Sequence, residues 1–316
     1  MARPAAVRIG VSGWTYAPWR GHFYPPGLPQ RCELAHAART FRSLEINGTF
    51  YGLQKPDVFA RWAEETPDDF VFAVKGSRYV THMLRLKEVA TPLANFIASG
   101  ILRLGPKLGP ILWQLPPSMP FDIERLDAFL SLLPHTTAAA AALAERHDDR
   151  LAGRAWTRTD ADRSLRHALE IRHASFRDPA FIALLRRRRV ALVCADTVEW
   201  PRLMDLTADF VYCRLHGDRE LYRSRYSTKA LDAWAARIAA WSTGRGMKDG
   251  EFAGRGRGAA RRREVFVYFD NTDKRHAPAD AKRLEARVEK AEGRQAERAH
   301  ARSARSQVSA GSRRSG

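Results

Sequence analysis

Eight short runs rich in β-branched and aromatic residues recur along the chain, and their spacing is the strongest constraint on its fold. They lie at residues 8–14, 43–47, 70–76, 110–116, 167–172, 190–196, 210–217 and 265–271. Most of these runs are hydrophobic on both faces, as is typical of parallel strands that are covered on both sides. We therefore predict eight parallel strands.

Helical patterns fill most of the gaps between these strands. They cover residues 30–41, 56–65, 88–104, 122–133, 178–189 and 228–243. Alternation of strands and helices predicts an α/β fold, and the number of strands predicts a (β/α)8 TIM-like barrel. An open doubly wound sheet is the alternative, and the link over residues 196–209, which has no clear helical pattern, fits a barrel poorly.

The chain divides into a barrel domain, residues 1–286, and a basic tail, residues 287–316. The barrel has two expected insertions, near 136–163 and 244–264. The first is expected to begin with an added helix, and the second is a Gly- and Arg-rich loop. The tail has little apolar content and is predicted to be flexible and partly disordered.

Basic residues are concentrated in two of these segments. The formal charge is +18; residues 244–264 hold seven basic and three acidic residues, and residues 287–316 hold eight and three. Such a loop and tail can bind the phosphates of a nucleic acid, so nucleic acid is one predicted partner. These two segments hold half of the excess charge, and the rest of the barrel carries the other half.

The rest of the composition points to a cytoplasmic protein without a membrane partner. No run of about 18 apolar residues occurs, and the first residues lack the apolar core of a signal peptide. Cys32, Cys194 and Cys213 have neither the spacing of a disulfide framework nor that of a metal knuckle, so reduced thiols are expected.

Polar residues stand at the end of nearly every predicted strand. In a (β/α)8 barrel, the carboxyl ends of the strands and the loops after them form the active site; we call this end the barrel mouth. Three strands end in polar pairs two residues apart, whose side chains share one face and can point into the mouth. These pairs are Glu45 with Asn47, Glu170 with Arg172, and Arg214 with His216.

Candidate roles follow from the chemistry of these side chains. The predicted catalytic residues are Glu170, His216, Asp196 and Asp270. The predicted substrate-binding residues are Arg172, Arg214, Lys75, Glu45, Asn47, Gln114, Trp14, Tyr51 and Asn271. Neighbouring cations lower the pKa of a carboxylate, so Glu170 is expected to be ionised and to act as the base. The motif after the third strand adds Lys75, Arg78 and His82 as an anion clamp.

Seven sequence blocks resemble those of the domain of unknown function 72 family. They are GVSGWTYAPWRGHFYP, EINGTFY, FAVKGSRYVTH, LGPILWQLPP, ALEIRHASF, DFVYCRLHG and VYFDN, within residues 8–284. The resemblance implies an architecture similar to TIM barrels. The activity of that family is not settled, and its likeness to metal-dependent apurinic endonucleases and sugar isomerases is one of fold alone, which does not fix function.

Three functions remain open. The leading prediction is an enzyme that acts on an anionic (phosphorylated or carboxylated) or polyhydroxylated small molecule by acid–base chemistry, without a cofactor or bound metal. The first alternative is a hydrolase or isomerase that depends on Mg²⁺, Mn²⁺ or Zn²⁺; the lack of an HxH or HExxH motif argues against it. The second alternative is a nucleic-acid-binding protein. A purely structural ion-pair network at the mouth would also explain the charges.

Overall fold

Eight parallel strands form one sheet, and they are the eight strands predicted from the sequence. The computed structural model describes residues 5–217, 225–245, 247, 249–255, 260–270 and 275–293. The strands are β1 Val7–Val11, β2 Ser43–Ile46, β3 Val71–Lys75, β4 Leu108–Gln114, β5 His167–Glu170, β6 Ala191–Asp196, β7 Phe210–Leu215 and β8 Glu264–Phe269.

Helices surround the sheet. They are α1 Glu33–Thr40, α2 Gly48–Tyr51, α3 Pro56–Glu64, α4 Ala90–Ala98, α5 Ile123–Ser131, α6 Thr137–Ala144, α7 Pro179–Arg188, α8 Thr228–Thr243 and α9, residues 277–293. Five of the six predicted helices are confirmed, as is the added helix, α6, at the start of the first insertion. The sixth, predicted over residues 88–104, is divided: α4 ends at Ala98, and a 3-10 helix, Ile101–Lys107, follows Gly100, whose φ is 115°. In the described part of the chain, no helix has the length and apolar character needed to cross a membrane.

Capping residues explain where four of these helices begin. In each case a side-chain oxygen accepts a hydrogen bond from a backbone N–H in the first turn, which would otherwise lack a partner. The capping residues are Asp122, Thr136, Asp178 and Ser227. Capping of this kind is local, which is why the sequence alone places these helices well.

The sheet closes into a nearly complete barrel, which confirms the predicted (β/α)8 fold. The strand order is β1-β8-β7-β6-β5-β4-β3-β2. The two ends of the sheet meet at a bridge between Ser12 and Glu45, where the Gly13 N–H donates to the Glu45 carbonyl at 2.8 Å. Gly10 permits this approach, because a Cβ there would lie 1.9 Å from the carbonyl oxygen of Ser43. Closure excludes the open doubly wound sheet.

Two apolar layers hold the barrel together. The outer layer packs the outward faces of the strands against the helices. The inner layer fills the barrel interior with the inward-facing residues, including Ala73, Leu112, Ala168, Tyr212 and Phe266. Because the interior is filled in this way, inward-facing polar groups gather at the end of the barrel, where the strands finish.

The helix α9 extends the folded body beyond the predicted domain boundary. Val288 is buried, and Arg287 forms an ion pair with Asp232 at 2.9 Å. The helix therefore continues past residue 287, where the flexible tail was predicted to start, to residue 293. The rest of the predicted tail, residues 294–316, lies outside the described residues.

Candidate active site at the barrel mouth

Arg214 lies at the centre of a buried group of charged side chains. Its guanidinium donates to three carboxylates, and its side chain is fully buried. The distances are 3.1 and 3.0 Å to Glu45, 2.7 Å to Glu170 and 2.7 Å to Asp270. Charges at such depth are tolerated because each is paired through short charge-assisted hydrogen bonds. We call these four residues the Arg214 cluster.

The alternation of side chains along the strands explains how the cluster forms. Side chains two residues apart on a strand share a face. Ala168 and Tyr212 belong to the inner apolar layer, and Glu170 and Arg214 follow them by two positions. Each carboxylate or guanidinium therefore caps a column of apolar side chains, and the columns end at the same level of the barrel.

Glu45 is held by hydroxyl groups as well as by Arg214. Tyr212 donates its hydroxyl proton to Glu45 Oε2 at 2.6 Å, and Ser12 donates to the other carboxylate oxygen. Asn47 in turn donates to the Ser12 hydroxyl at 2.7 Å. Burial, helped by the Glu45 carboxylate, raises the pKa of Tyr212 well above its ordinary value, so this hydroxyl stays neutral.

Glu170 is engaged by two arginines. Arg172 donates to Oε1 at 2.8 Å from Nε, while Arg214 holds Oε2. Burial alone would raise the pKa of Glu170, but Arg214 and Arg172 outweigh it and hold this pKa well below the usual range. Glu170 is thus ionised, as the sequence predicted, but the low pKa makes it a poor proton acceptor.

His216 lies between two carboxylates of the cluster. Its Nε2 is 3.8 Å from Glu170 Oε2, and its Nδ1 is 3.5 Å from Asp270 Oδ2. Burial lowers the pKa of His216 and outweighs Glu170, which raises it. The Trp200 ring lies edge-on to the imidazole at 5.5 Å and also covers the Arg172 guanidinium at 4.2 Å. The imidazole of His216 is therefore neutral near pH 7 and packs against the ring of Trp200.

Lys75 is the third cation near the cluster, and its surroundings differ from those of the arginines. Its Nζ lies 4.2 Å from the centre of the Phe50 ring, and only 6% of the residue is exposed. Within the described ranges, no hydrogen bond or ion pair reaches this ammonium. Burial, with a contribution from Arg214, lowers the pKa of Lys75 to about 8, although the three carboxylates oppose this.

His82 contacts the same phenyl ring as Lys75. Its imidazole lies edge-on to Phe50 at 5.1 Å, and Thr81 Oγ1 lies 2.9 Å from its Nδ1. Burial, together with Lys75 and Arg172, lowers the pKa of His82 to about 4, so it is neutral near pH 7. The predicted anion clamp after β3 thus brings a second group beside Lys75, on a π-helical turn of the kind often found at functional sites.

The remaining predicted site residues fall into three groups. Gln114 is buried at the end of β4, where it pairs in register with Glu170, and its amide forms no hydrogen bond among the described residues. Trp14, Asn47 and Tyr51 line a groove of about 350 Å³ beside the mouth. Asn271 lies outside the described residues.

Asp196 does not join the cluster. One of its oxygens accepts a hydrogen bond from Arg202 at 2.8 Å, and the other accepts one from the indole N–H of Trp234 on α8 at 2.8 Å. Its neighbours Val193 and Ala195 belong to the inner layer, so Asp196 lies on the outer face of β6. The structure therefore separates Asp196 from the other predicted catalytic residues.

The Arg214 cluster does not fit a divalent metal in this arrangement. Among the residues that the structure describes, no three His, Cys, Asp or Glu side chains are placed to hold a metal ion. The three carboxylates converge on the guanidinium of Arg214, which occupies the point that a cation would need.

The fold and the position of the charged side chains define an α/β barrel with a candidate site at the carboxyl ends of its strands. The chain belongs to the family described as "Protein of unknown function DUF72", whose sequence profile matches residues 8–305. This confirms the family suggested by the sequence blocks.

Two curated relatives match part of the chain. UPF0759 protein YecE of Escherichia coli (strain K12) is 32% identical over 129 residues, which cover 40% of this chain and 44% of YecE. UPF0759 protein YunF of Bacillus subtilis (strain 168) is 27% identical over 116 residues, which cover 35% of this chain and 40% of YunF. The matched segment spans less than half of either relative.

Solved structures share the whole barrel. A DUF72 family protein of Thermotoga maritima has a TM-score of 0.66 and 23% identity, over 90% of this chain and 99% of that protein. A DUF72 family protein of Enterococcus faecalis has a TM-score of 0.64 and 16% identity, over 90% of this chain and 95% of that protein. At this level of identity the likeness supports the fold.

Proposed function

We propose that this protein is an enzyme that binds a phosphorylated or carboxylated small molecule at the barrel mouth and acts on it by acid–base chemistry. One observation carries the proposal: Lys75 places a buried ammonium at the mouth with no hydrogen-bond acceptor among the described residues. An ammonium has three N–H donors, and those of Lys75 keep some contact with solvent at the mouth but have no protein acceptor among the described residues. An anionic oxygen of a ligand would be such an acceptor.

Lys75 balances the charges at the barrel mouth. Three carboxylates and two arginines, Arg214 and Arg172, lie near it and pair with one another. The carboxylates exceed the arginines by one charge, and protonated Lys75 brings the sum to zero without an ion pair to any described residue; His82 and His216 are neutral beside it. A ligand oxygen can therefore contact Lys75 without displacing an existing ion pair.

Lys75 is also the group best suited to exchange a proton near neutral pH. Its pKa of about 8 lies close to the operating range that favours a general acid or base. His216 is the second candidate, because Glu170 and Asp270 would stabilise its imidazolium. We assign Glu170 and Arg214 to positioning, since they hold each other in short hydrogen bonds.

The groove beside the mouth suits the uncharged part of the ligand. Besides Trp14, Asn47 and Tyr51, it is lined by the rings of Tyr16 and Trp62. Aromatic faces with a few amides favour ring-shaped, polyhydroxylated molecules, whose C–H faces stack while their hydroxyls bond. The proposed substrate class is a polyhydroxylated compound that carries a phosphate or carboxylate group.

Sulfate binding tests this proposal, because sulfate is an anion whose charge stays constant over the pH range of the measurement. We expect sulfate to bind the wild-type protein, and Lys75→Met to weaken this affinity by about tenfold, the loss of one charge-assisted contact. Lys87, which is exposed, offers the matched control Lys87→Met, which should bind as the wild type does. Absence of sulfate binding, or equal losses in the two variants, would overturn the proposal.

Binding of nucleic acid by the basic tail stays a prediction, as does the cytoplasmic location. Residues 294–316 hold most of the tail's charge and lie outside the described residues. On α9, Arg283 and Arg287 form ion pairs with Asp280 and Asp232, so the charges of these two arginines are neutralised. Salt-dependent binding of DNA that disappears on removal of residues 294–316 would establish this second function.

A further inference from the structure

Two lysines are buried in the described part of the chain, and only one of them has its ammonium satisfied. Lys107 donates from Nζ to the carbonyl oxygens of Ala63 and Thr66, at 2.5 and 2.7 Å. This is the usual way in which a protein stabilises a buried charge. Lys75, at 6% exposure, has no such acceptor and faces the ring of Phe50. The contrast marks Lys75 as a buried lysine whose ammonium has a cation–π contact with Phe50 but no hydrogen bond among the described residues.

The side chain of Lys75 lies at the barrel mouth, where a ligand would reach its nitrogen. The residue ends β3 on the inward face of the barrel, so its amine lies among the strand ends rather than on a mobile loop. Phe50 covers one side, and His82 packs against the same ring. Gln114, at the end of the neighbouring strand, offers an amide without an internal partner among the described residues. A ligand at the mouth can therefore contact the amine of Lys75, which is largely buried and forms no hydrogen bond or ion pair with the described residues.

We propose that Lys75 is a nucleophile that forms a covalent imine with the carbonyl carbon of an anionic aldehyde or ketone bound at the barrel mouth. This rests on the proposed function, since the anionic group brings the carbonyl compound to the ammonium of Lys75, and the attack follows when that nitrogen loses its proton. It narrows the substrate class to compounds that carry both an anionic group and a free carbonyl group.

The step balances without an oxidant, a reductant or a metal. The neutral amine of Lys75 adds to the carbonyl carbon to form a C–N bond, and one proton passes from the nitrogen to the carbonyl oxygen, which gives a carbinolamine. The C–O bond then breaks as a C=N bond forms, and the hydroxyl leaves as water with the second proton of the nitrogen, so that amine and carbonyl become imine and water. The carboxylates of Glu45, Glu170 and Asp270 would stabilise the protonated imine, as they already oppose the loss of charge from Lys75.

The chemistry needs an amine that is neutral for much of the time, and burial supplies this. With a pKa of about 8 instead of 10.5, Lys75 at pH 7.5 has a neutral fraction about two orders of magnitude above that of an exposed lysine. Desolvation beside a second cationic group is an established way to activate a lysine nucleophile. Arg214 is the cation that contributes here.

Reductive trapping tests the inference on the intact chain. The probes are pyruvate, a ketone with a carboxylate, and dihydroxyacetone phosphate, a ketone with a phosphate, each added with sodium cyanoborohydride at pH 7.5. Peptide mapping by mass spectrometry then locates the reduced adducts. We expect at least one probe to modify Lys75 more than tenfold faster than exposed Lys87, and sulfate to slow this reaction. Lys107 serves as an internal buried control and should stay unmodified.

The variant Lys75→Arg separates charge from nucleophilicity, because arginine keeps the cation but does not form an imine under these conditions. It should still bind sulfate and should give no adduct at residue 75. If both probes label Lys75 no faster than Lys87 in the wild-type protein, the imine proposal is overturned; this result needs no variant to fold. Sulfate binding without labelling leaves the proposed anion site standing, whereas loss of both overturns both.

Discussion

The guanidinium of Arg214 lies side-on against the carboxylate of Glu45, with Nε–Oε2 at 3.1 Å and Nη2–Oε1 at 3.0 Å. These residues come from β7 and β2, which are not neighbours in the sheet. The same guanidinium reaches Glu170 on β5 and Asp270 after β8. One side chain thus connects four strands at the barrel mouth, close to the place where β1 and β2 complete the closure.

Replacing Arg214 should strongly destabilise the barrel. Arg214→Met leaves three buried carboxylates without their shared cation, and breaking a buried pair in this way costs about 3–5 kcal/mol of unfolding free energy. The control is Arg61→Met, which removes an exposed arginine lying 3.9 Å from Glu65 and should cost about 0.5 kcal/mol or less. Urea unfolding followed by circular dichroism measures both. A loss below about 1 kcal/mol for Arg214→Met would contradict this account of the cluster.

The positions of the strands could be predicted from the sequence because hydrophobic runs and capping residues act locally. The inward direction of Glu45, Glu170 and Arg214 also followed, since the polar residues of each pair share one face of a strand. Asp196 shows the limit of this reasoning. The run VALVCAD is hydrophobic on both faces, so nothing in it distinguishes the face that meets Trp234 from the inner face.

Other features depend on contacts between distant parts of the chain. The sequence suggested Lys75 as one cation among several, whereas its lack of an internal acceptor follows from where Phe50 and the Arg214 cluster lie. His82 was indicated by its motif, but its approach to Phe50 depends on the π-helical turn that follows β3. The packing of α9 past residue 287 likewise requires a buried surface that composition does not show.

His167 should make the folding stability depend on pH below neutrality. Its Nδ1 accepts from the Trp113 indole at 3.2 Å, and its Nε2 lies 2.7 Å from the Pro134 carbonyl, to which it can donate. Burial lowers the pKa of His167 from 6.5 to about 4. The unfolded chain therefore binds a proton more readily, so this contribution is complete above pH 6.5 and is lost as pH falls toward 4. The expected loss is about 3 kcal/mol.

The variant His167→Gln isolates this contribution, because glutamine can still donate to Pro134 but does not titrate. Neighbouring His135, whose ring lies 5.7 Å away, has a pKa lowered by burial and would add a similar dependence in both proteins. As pH falls from 7 to about 4, the unfolding free energy of the wild type should therefore fall toward that of the variant, as measured by urea titrations. Parallel curves over this range would show that His167 is not the group that titrates.

Anion affinity should fall as pH rises through the pKa of Lys75. The protonated ammonium binds sulfate and the neutral amine does not, so a pKa of about 8 predicts an affinity about tenfold lower at pH 9 than at pH 7. Glu170 and Arg214, which face Lys75, keep their charge in this range, because the pKa of Glu170 is lowered and that of Arg214 is raised. Calorimetric titration with sulfate measures the profile. Lys75→Arg should bind equally at both pH values, and a flat wild-type profile would exclude Lys75 as the anion ligand.

Divalent metals should stabilise the protein only when Arg214 is absent. In the wild type the three carboxylates already surround a guanidinium, so 1 mM Mg²⁺ or Mn²⁺ should leave the melting temperature unchanged. In Arg214→Ala the same three carboxylates would surround a cavity without a cation, and sites rich in oxygen ligands favour Mg²⁺ and Mn²⁺. Binding to the folded state alone should then raise the melting temperature by about 2 °C or more. Differential scanning fluorimetry with and without EDTA measures this difference.

A metal-dependent rise in the melting temperature of the wild type would mean that a cation can occupy the mouth beside Arg214. That result would favour a metal-dependent barrel over the proposed acid–base site.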